Sequence, residues 1–179
     1  RITYPASFQL VAAMNPCRCG KAGEPGHVCA RGPRCVSDYQ GRVSGPLLDR
    51  IDLRVDVPAV TAFDLLQPGS AEPSSAVRAR VEAARLLQSQ RFAALGLPTD
   101  TTNATCPAAH VERIAAPDAA GAKLLRDAAE RMKFSARAYH RILKVARTLA
   151  DLNGAETIGR AHLAEAISFR AMPERLQPA

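Results

Sequence analysis

Residues 135–154, SARAYHRILKVARTLADLNG, decide the character of the C-terminal half. Ala138, Ile142, Val145, Leu149 and Leu152 recur at spacings of 4, 3, 4 and 3, which lines apolar side chains along one face of an α-helix. Ser135 stands where an N-cap belongs and Asn153-Gly154 where a C-terminal cap belongs, so the stretch carries its own start and stop signals.

Working outward, the same period recurs. Val77, Val81, Ala84 and Leu87 share a face opposite Arg78, Glu82 and Arg85, and further helices are expected after Pro107 and Pro117, since proline fits a first helical turn. A last helix is expected over 160–171 with Leu163, Ala166 and Ile167 inward. Towards the N-terminus the pattern changes. Pro68, Gly69 and Pro73 mark residues 59–75 as a linker. Phe8–Met14 is apolar apart from Gln9 and lies between Pro5 and Pro16; it reads as a strand buried on both faces of a parallel sheet. Ile51, Leu53, Val55 and Val57 alternate with Asp52, Arg54 and Asp56, the signature of a strand with one covered face. One or two helical turns are expected over Ser37–Val43. The fold class expected is α/β followed by all-α, with residues 1–58 the end of a sheet domain, 59–75 a linker and 76–179 a small helical bundle.

The composition is that of a globular chain: 47% of its 179 residues are hydrophobic and 23% charged. No apolar run is long enough to span a bilayer, and no basic, apolar leader is present, so a soluble cytoplasmic protein with no membrane partner is expected. The sequence opens at Arg1 in mid-pattern, without an initiator Met, and is read as part of a longer polypeptide. The net charge of +7 and pI near 9.6 favour polyanionic partners, either nucleotide phosphates or nucleic acid. With only 4% aromatic residues and no Trp, base-stacking platforms are scarce.

Four of the five cysteines crowd together as Cys17-x-Cys19, nine residues, Cys29, five residues, Cys35. In a chain without a secretory leader this pattern points to a metal site more than to disulfides. Four thiolates satisfy a tetrahedral zinc, and Gly20, Gly23, Gly26 and Gly32 let a short loop wrap round one ion. His27 is a spare ligand, and free or oxidised thiols are the alternative. Cys106 stands apart and reads as a buried small apolar residue.

Three polar residues stand at positions where chemistry is expected. Asn15 follows the first expected strand and precedes Pro16: it is either a turn initiator or an amide facing the crevice at the carboxyl ends of a parallel sheet. Arg50, between Asp49 and Asp52, is either one half of an ion pair or a guanidinium offered to developing phosphate charge in a neighbouring subunit. Arg137 falls in the first turn after Ser135, where the helix dipole disfavours a cation unless both meet one anion. Arg141 and Lys144 extend it into a basic stripe that is equally readable as a solvated face.

The blocks FQLVAAMNPCRCG (8–20), YQGRVSGPLLDRIDLRVDVPAV (39–60), SARAYHRILKVARTLADLNG and HLAEAISFR (162–170) closely resemble the C-terminal part of magnesium-chelatase-like AAA+ ATPases of the ComM type. Residues 59–133 match only in helical character. The resemblance implies that Asn15 is sensor 1, placing the water that attacks the γ-phosphate, that Arg50 is the arginine finger, and that Arg137 is sensor 2 in a helical lid. It further implies ATP and Mg²⁺ as ligands of the full-length protein, a ring of copies expected to be a hexamer, and DNA branch migration in natural transformation as the activity; a tetrapyrrole metal-insertion subunit and a zinc-stabilised nucleic-acid-binding module are the alternatives. The four-cysteine loop occurs in some members and is absent from others. The chain contains no G-x-x-x-x-G-K-[ST] phosphate loop and no apolar strand ending in an acidic pair for Mg²⁺, so these 179 residues alone are expected to hydrolyse no ATP.

Overall fold

The computed structural model describes residues 2–4, 6, 8–22, 28–29, 31–32, 34–60, 65–66 and 72–170. The chain forms two compact units, Arg1–Ser44 with Met172–Ala179 and Gly45–Ala171. The described helices are α1 (Cys35–Gln40), α2 (Gly45–Leu48), α3 (Ser74–Ala94), α4 (Ala108–Ile114), α5 (Ala119–Met132), α6 (Ala136–Leu152) and α7 (Arg160–Ser168).

Helix α6 is the hub of the second unit. Its start is fixed by Ser135, whose Oγ accepts the Ala138 N–H at 3.1 Å. At its end Gly154 takes φ +66°, and the Ala155 N–H reaches back to the Ala150 carbonyl at 2.8 Å, satisfying a carbonyl the last turn leaves free. Helices α3, α4 and α7 pack on α6, and α5 packs on α7. Phe92, Val111, Leu125, Ile142 and Leu163 meet in one core, each essentially removed from solvent, and each such burial stabilises by roughly 1.5–3 kcal/mol. Because α6 is covered on more than one side, its buried face is wider than the 4-3-4-3 stripe: Leu143, Ala146, Arg147, Ala150 and Asp151 are buried with Ala138 and Ile142, while Val145 and Leu149 are partly covered.

Helix α5 begins at Asp118, whose Oδ1 accepts the Gly121 N–H at 2.7 Å, and ends at Lys133 in the left-handed conformation, φ +48°. Gly121 marks the closest approach of α5 to α7: a Cβ there would lie 2.8 Å from Leu163 Cδ1. Before α7, Gly159 donates its N–H to His162 Nδ1 at 3.1 Å.

Two expectations need correction. The sheet does not form among the described residues, where the only β-type pairing is an isolated bridge between Pro117 and Ile158. Phe8–Met14 lacks any ladder and is exposed throughout, with Phe8 at 79% and Val11 at 86%; Ile51–Val57 likewise has no ladder, and Leu53, Val55 and Val57 face solvent. A strand satisfies its backbone through a neighbouring strand; among the described residues Phe8–Met14 has no such partner, and Ile51–Val57 has one long-range backbone bond, from the Arg54 N–H to the Phe169 carbonyl at 3.0 Å, which makes no ladder. In α3, the inward face is Ala84, Gln88 and Phe92, whereas Val77, Val81 and Leu87 are exposed. The first ten residues of α3 are exposed along their whole length, and further on Gln88 turns inward because its Oε1 accepts the Asn103 N–H at 3.3 Å. Among the described residues no helix is long and apolar enough to cross a membrane.

Candidate functional site

In the first unit the cysteines converge. Two turns of the same kind present them: the Gly20 N–H donates to the Cys17 carbonyl and the Gly32 N–H to the Cys29 carbonyl, both at 3.0 Å, with the glycines at φ +81° and +84°. Each turn thus needs glycine at its closing position. The Cys17, Cys19 and Cys35 sulfurs lie within 4.8 Å of one another, and Cys29 Sγ stands 3.5 Å from Cys19 Sγ. Sulfurs round a zinc with ~2.3 Å bonds are about 3.8 Å apart; the donor set suits a thiophilic divalent ion, and the Cys19–Cys29 separation is near that value while Cys17 and Cys19 lie closer. The Cys17 and Cys19 sulfurs stand 2.9 Å apart, within hydrogen-bond distance of a thiol to a thiolate. Accepting that bond brings Cys17 down to about 7, and donating it pushes Cys19 up to about 11. The Arg31 backbone N–H, and then Cys19, lower Cys29. Gly23, Gly26 and the spare ligand His27 lie outside the described residues. Cys106 is buried in the helical core, far from this chemistry in character, and burial raises its thiol.

Asn15 is exposed and carries no side-chain hydrogen bond among the described residues. The carbonyl of the next residue, Pro16, accepts Gln40 Nε2 at 2.9 Å, which ties the exit from Asn15 to α1.

In the second unit Arg50 is exposed, and among the described residues its guanidinium meets only the Pro46 carbonyl, at 2.7 Å. Its acidic neighbours are engaged elsewhere: Asp49 with Ser135 and Arg170, Asp52 with Arg141. Arg137 is exposed in the first turn of α6, without a side-chain partner among the described residues. The basic stripe that follows it is not uniform. Arg141 pairs with Asp52, and Lys144 donates to the Ala104 and Cys106 carbonyls at 2.9 and 2.8 Å, with burial lowering its pKa. Arg141 and Lys144 therefore serve the fold, and Arg137 remains open.

A buried polar network was missed by the sequence reading. Asp151 accepts from Arg147 Nε at 3.0 Å, from Arg91 Nη1 at 3.0 Å and from Asn103 Nδ2 at 2.8 Å, and the Arg147 guanidinium also donates to the Ala155 and Glu156 carbonyls. Arg147, Asp151 and Asn103 are each at least 97% buried. The available signal was register, since Leu143, Arg147 and Ala150 share a face of α6. This network locks α3, α6 and the 95–107 connection; its charges are mutually satisfied and offer nothing to a ligand.

Residues 71–170 match the family described as magnesium chelatase, subunit ChlI C-terminal, and residues 1–65 match magnesium chelatase, subunit ChlI. The chain belongs to the magnesium chelatase ChlI family. Among curated proteins it is 40% identical over 178 residues to competence protein ComM of Haemophilus influenzae, covering 99% of this chain and 33% of that protein. It is 38% identical over 181 residues to the uncharacterized protein YifB of Salmonella typhimurium, covering 98% and 33%, and 40% identical over 167 residues to an uncharacterized protein of Mycobacterium bovis, covering 93% and 32%. These identities place the chain with the ComM-type members, and it spans about a third of the length of the curated relatives it matches.

Proposed function

We propose that this chain is the sensing and lid portion of a ring-forming, ATP-driven AAA+ motor that acts on DNA. One observation carries the reading: Arg50 and Arg137 are exposed and meet no acid among the described residues, although the acidic and basic residues beside them are paired internally. Two unneutralised guanidiniums, one at the N-terminus of a long helix, suit the phosphates of a nucleotide. In this reading Arg50 is the arginine finger that stabilises charge on the transferring γ-phosphate of a neighbouring subunit, Arg137 is sensor 2, and Asn15 orients the attacking water. Residues 1–58 are the end of the nucleotide-binding core, 59–75 the linker and 76–179 the lid. ATP and its Mg²⁺ are held by a phosphate-loop portion outside this sequence, so the 179 residues are inactive alone.

Cys17, Cys19, Cys29 and Cys35 would hold a structural zinc, a closed site that pins the loop leaving Asn15 and leaves no position for a catalytic water. The competence relative and the net charge of +7 favour DNA as the client, and branch migration is the activity that the resemblance to ComM-type proteins implies. The chelatase family description favours a second reading, in which the same motor drives metal insertion into a tetrapyrrole. ATP turnover by the full-length polypeptide, with and without branched DNA, separates the two. Stimulation by branched DNA is expected, and turnover indifferent to DNA moves the assignment to metal insertion. No turnover at all overturns the motor and favours a zinc-stabilised binding module.

A further inference from the structure

The segment that carries Arg50 is strapped to the helix that carries Arg137. Asp49, just before Arg50, accepts from Ser135 Oγ at 3.2 Å and from Arg170 Nη2 at 3.3 Å. Asp52, just after it, pairs with Arg141. Beyond these, the Arg54 N–H donates to the Phe169 carbonyl at 3.0 Å, and Arg170 Nη1 donates to the Ile51 carbonyl at 3.2 Å. Ser135 is the N-cap of α6, and Arg141 lies one turn after Arg137 on the same face. Both aspartates are therefore anchored to the helix turns on either side of Arg137.

Apolar packing contributes little to this attachment. Leu53 is exposed, and a cavity of 230 Å³ lined by Asp49, Arg54, Phe134, Ser135 and Arg170 lies beside the segment. The carboxylates are themselves 42% and 50% exposed, and ion pairs so well solvated add little to stability. What they supply is position.

We propose that Asp49 and Asp52 are positioning residues that couple Arg50 to Arg137, so that the two guanidiniums move as one body. This rests on the reading of Arg50 and Arg137 as phosphate-contacting residues. A shift of α6 when Arg137 loses its phosphate is then carried directly to Arg50, which makes finger engagement at one nucleotide site depend on the state of the lid.

The test uses the full-length polypeptide with D52R, R141D and the charge-swapped pair, reading kcat, KM for ATP and melting temperature. A finger displaced by about an ångström loses roughly tenfold to a hundredfold in kcat. Each single variant is expected to show that loss with KM for ATP changed less than about twofold, and the swapped pair to recover most of it. Single variants with wild-type kcat overturn the coupling, as does a loss that the swap leaves unrepaired at an unchanged melting temperature. Should a charge reversal fail to fold, D52N decides in its place: a lowered kcat supports the coupling and an unchanged one overturns it. R50A in the same assay keeps the two ideas apart. Normal turnover in R50A removes the finger itself, whereas an inactive R50A beside wild-type turnover in D52N removes the coupling alone.

Discussion

The fate of an arginine in this chain is set by its immediate partners. Arg147 is buried with Asp151 and two carbonyls, and among the described residues Arg50 is exposed with one carbonyl and no acid. Their neighbourhood therefore predicts opposite consequences. Replacing Asp151 by Ala strands Arg91 and Arg147 around a buried, uncompensated charge and is expected to cost roughly 3–5 kcal/mol, read by denaturant unfolding; a loss under 1 kcal/mol, about the worth of a surface pair, would contradict the network's role. Replacing Arg50 by Ala is expected to leave that unfolding unchanged and to lower hydrolysis by the full-length polypeptide by about 10³–10⁵ while sparing nucleotide binding. The burial of Arg147 was missed in the sequence, although its place on the helical face of Leu143 and Ala150 was a usable signal. The isolation of Arg50 left no such signal: whether Asp49 or Asp52 neutralises it depends on Ser135, Arg141 and Arg170, more than 80 residues away.

Among elements, helices were legible and strands were not, for one physical reason. A helix closes its hydrogen bonds within about four residues, so α6 could be read from Ser135, the apolar period and Asn153-Gly154. A strand closes them on partners distant in sequence, and Phe8–Met14 has none among the described residues. Helix faces were read less well than helix positions, because Gln88 and Arg147 turn inward for polar partners that the apolar pattern does not record. The contact at Gly121 lets α5 approach α7, and Gly121→Ala is expected to force Leu163 aside at a cost of about 1–3 kcal/mol; a melting temperature equal to the parent's would show that the helices separate freely. The crowding of the cysteines was legible in their spacing, and the structure brings the Cys17, Cys19 and Cys35 sulfurs together on a loop with two glycine-closed turns. Replacing Cys17 and Cys19 by Ser is expected to abolish bound zinc and lower the melting temperature, measured by metal content and thermal unfolding together. Parent protein without zinc, with unchanged melting in the variant, would contradict the metal site.

At the scale of the whole molecule, the structure divides the chain before residue 45, and residues 49–54 belong to the helical unit. Pro68, Gly69 and Pro73 mark residues 59–75 as a linker in the sequence, and such a pattern carries no trace of the Asp49 and Asp52 tethers. Arg50 thus belongs to the unit that contains the long helix α6, while Asn15 and the cysteine loop belong to the other unit. Under the proposed function, the exposed Arg50 and Arg137 act on a nucleotide held outside these 179 residues, Arg50 on that of a neighbouring subunit.

Subunit mixing tests that claim most directly. Full-length subunits bearing Arg50→Ala are combined with subunits whose phosphate loop is disabled, each inactive alone, and ATP turnover is measured across mixing ratios. If Arg50 serves a neighbour's nucleotide, an intact phosphate loop beside an intact Arg50 recreates a working site, and turnover reappears with a maximum at intermediate ratios. Turnover that stays at background at every ratio, in rings shown to contain both subunits, would mean that Arg50 does not act across the subunit boundary.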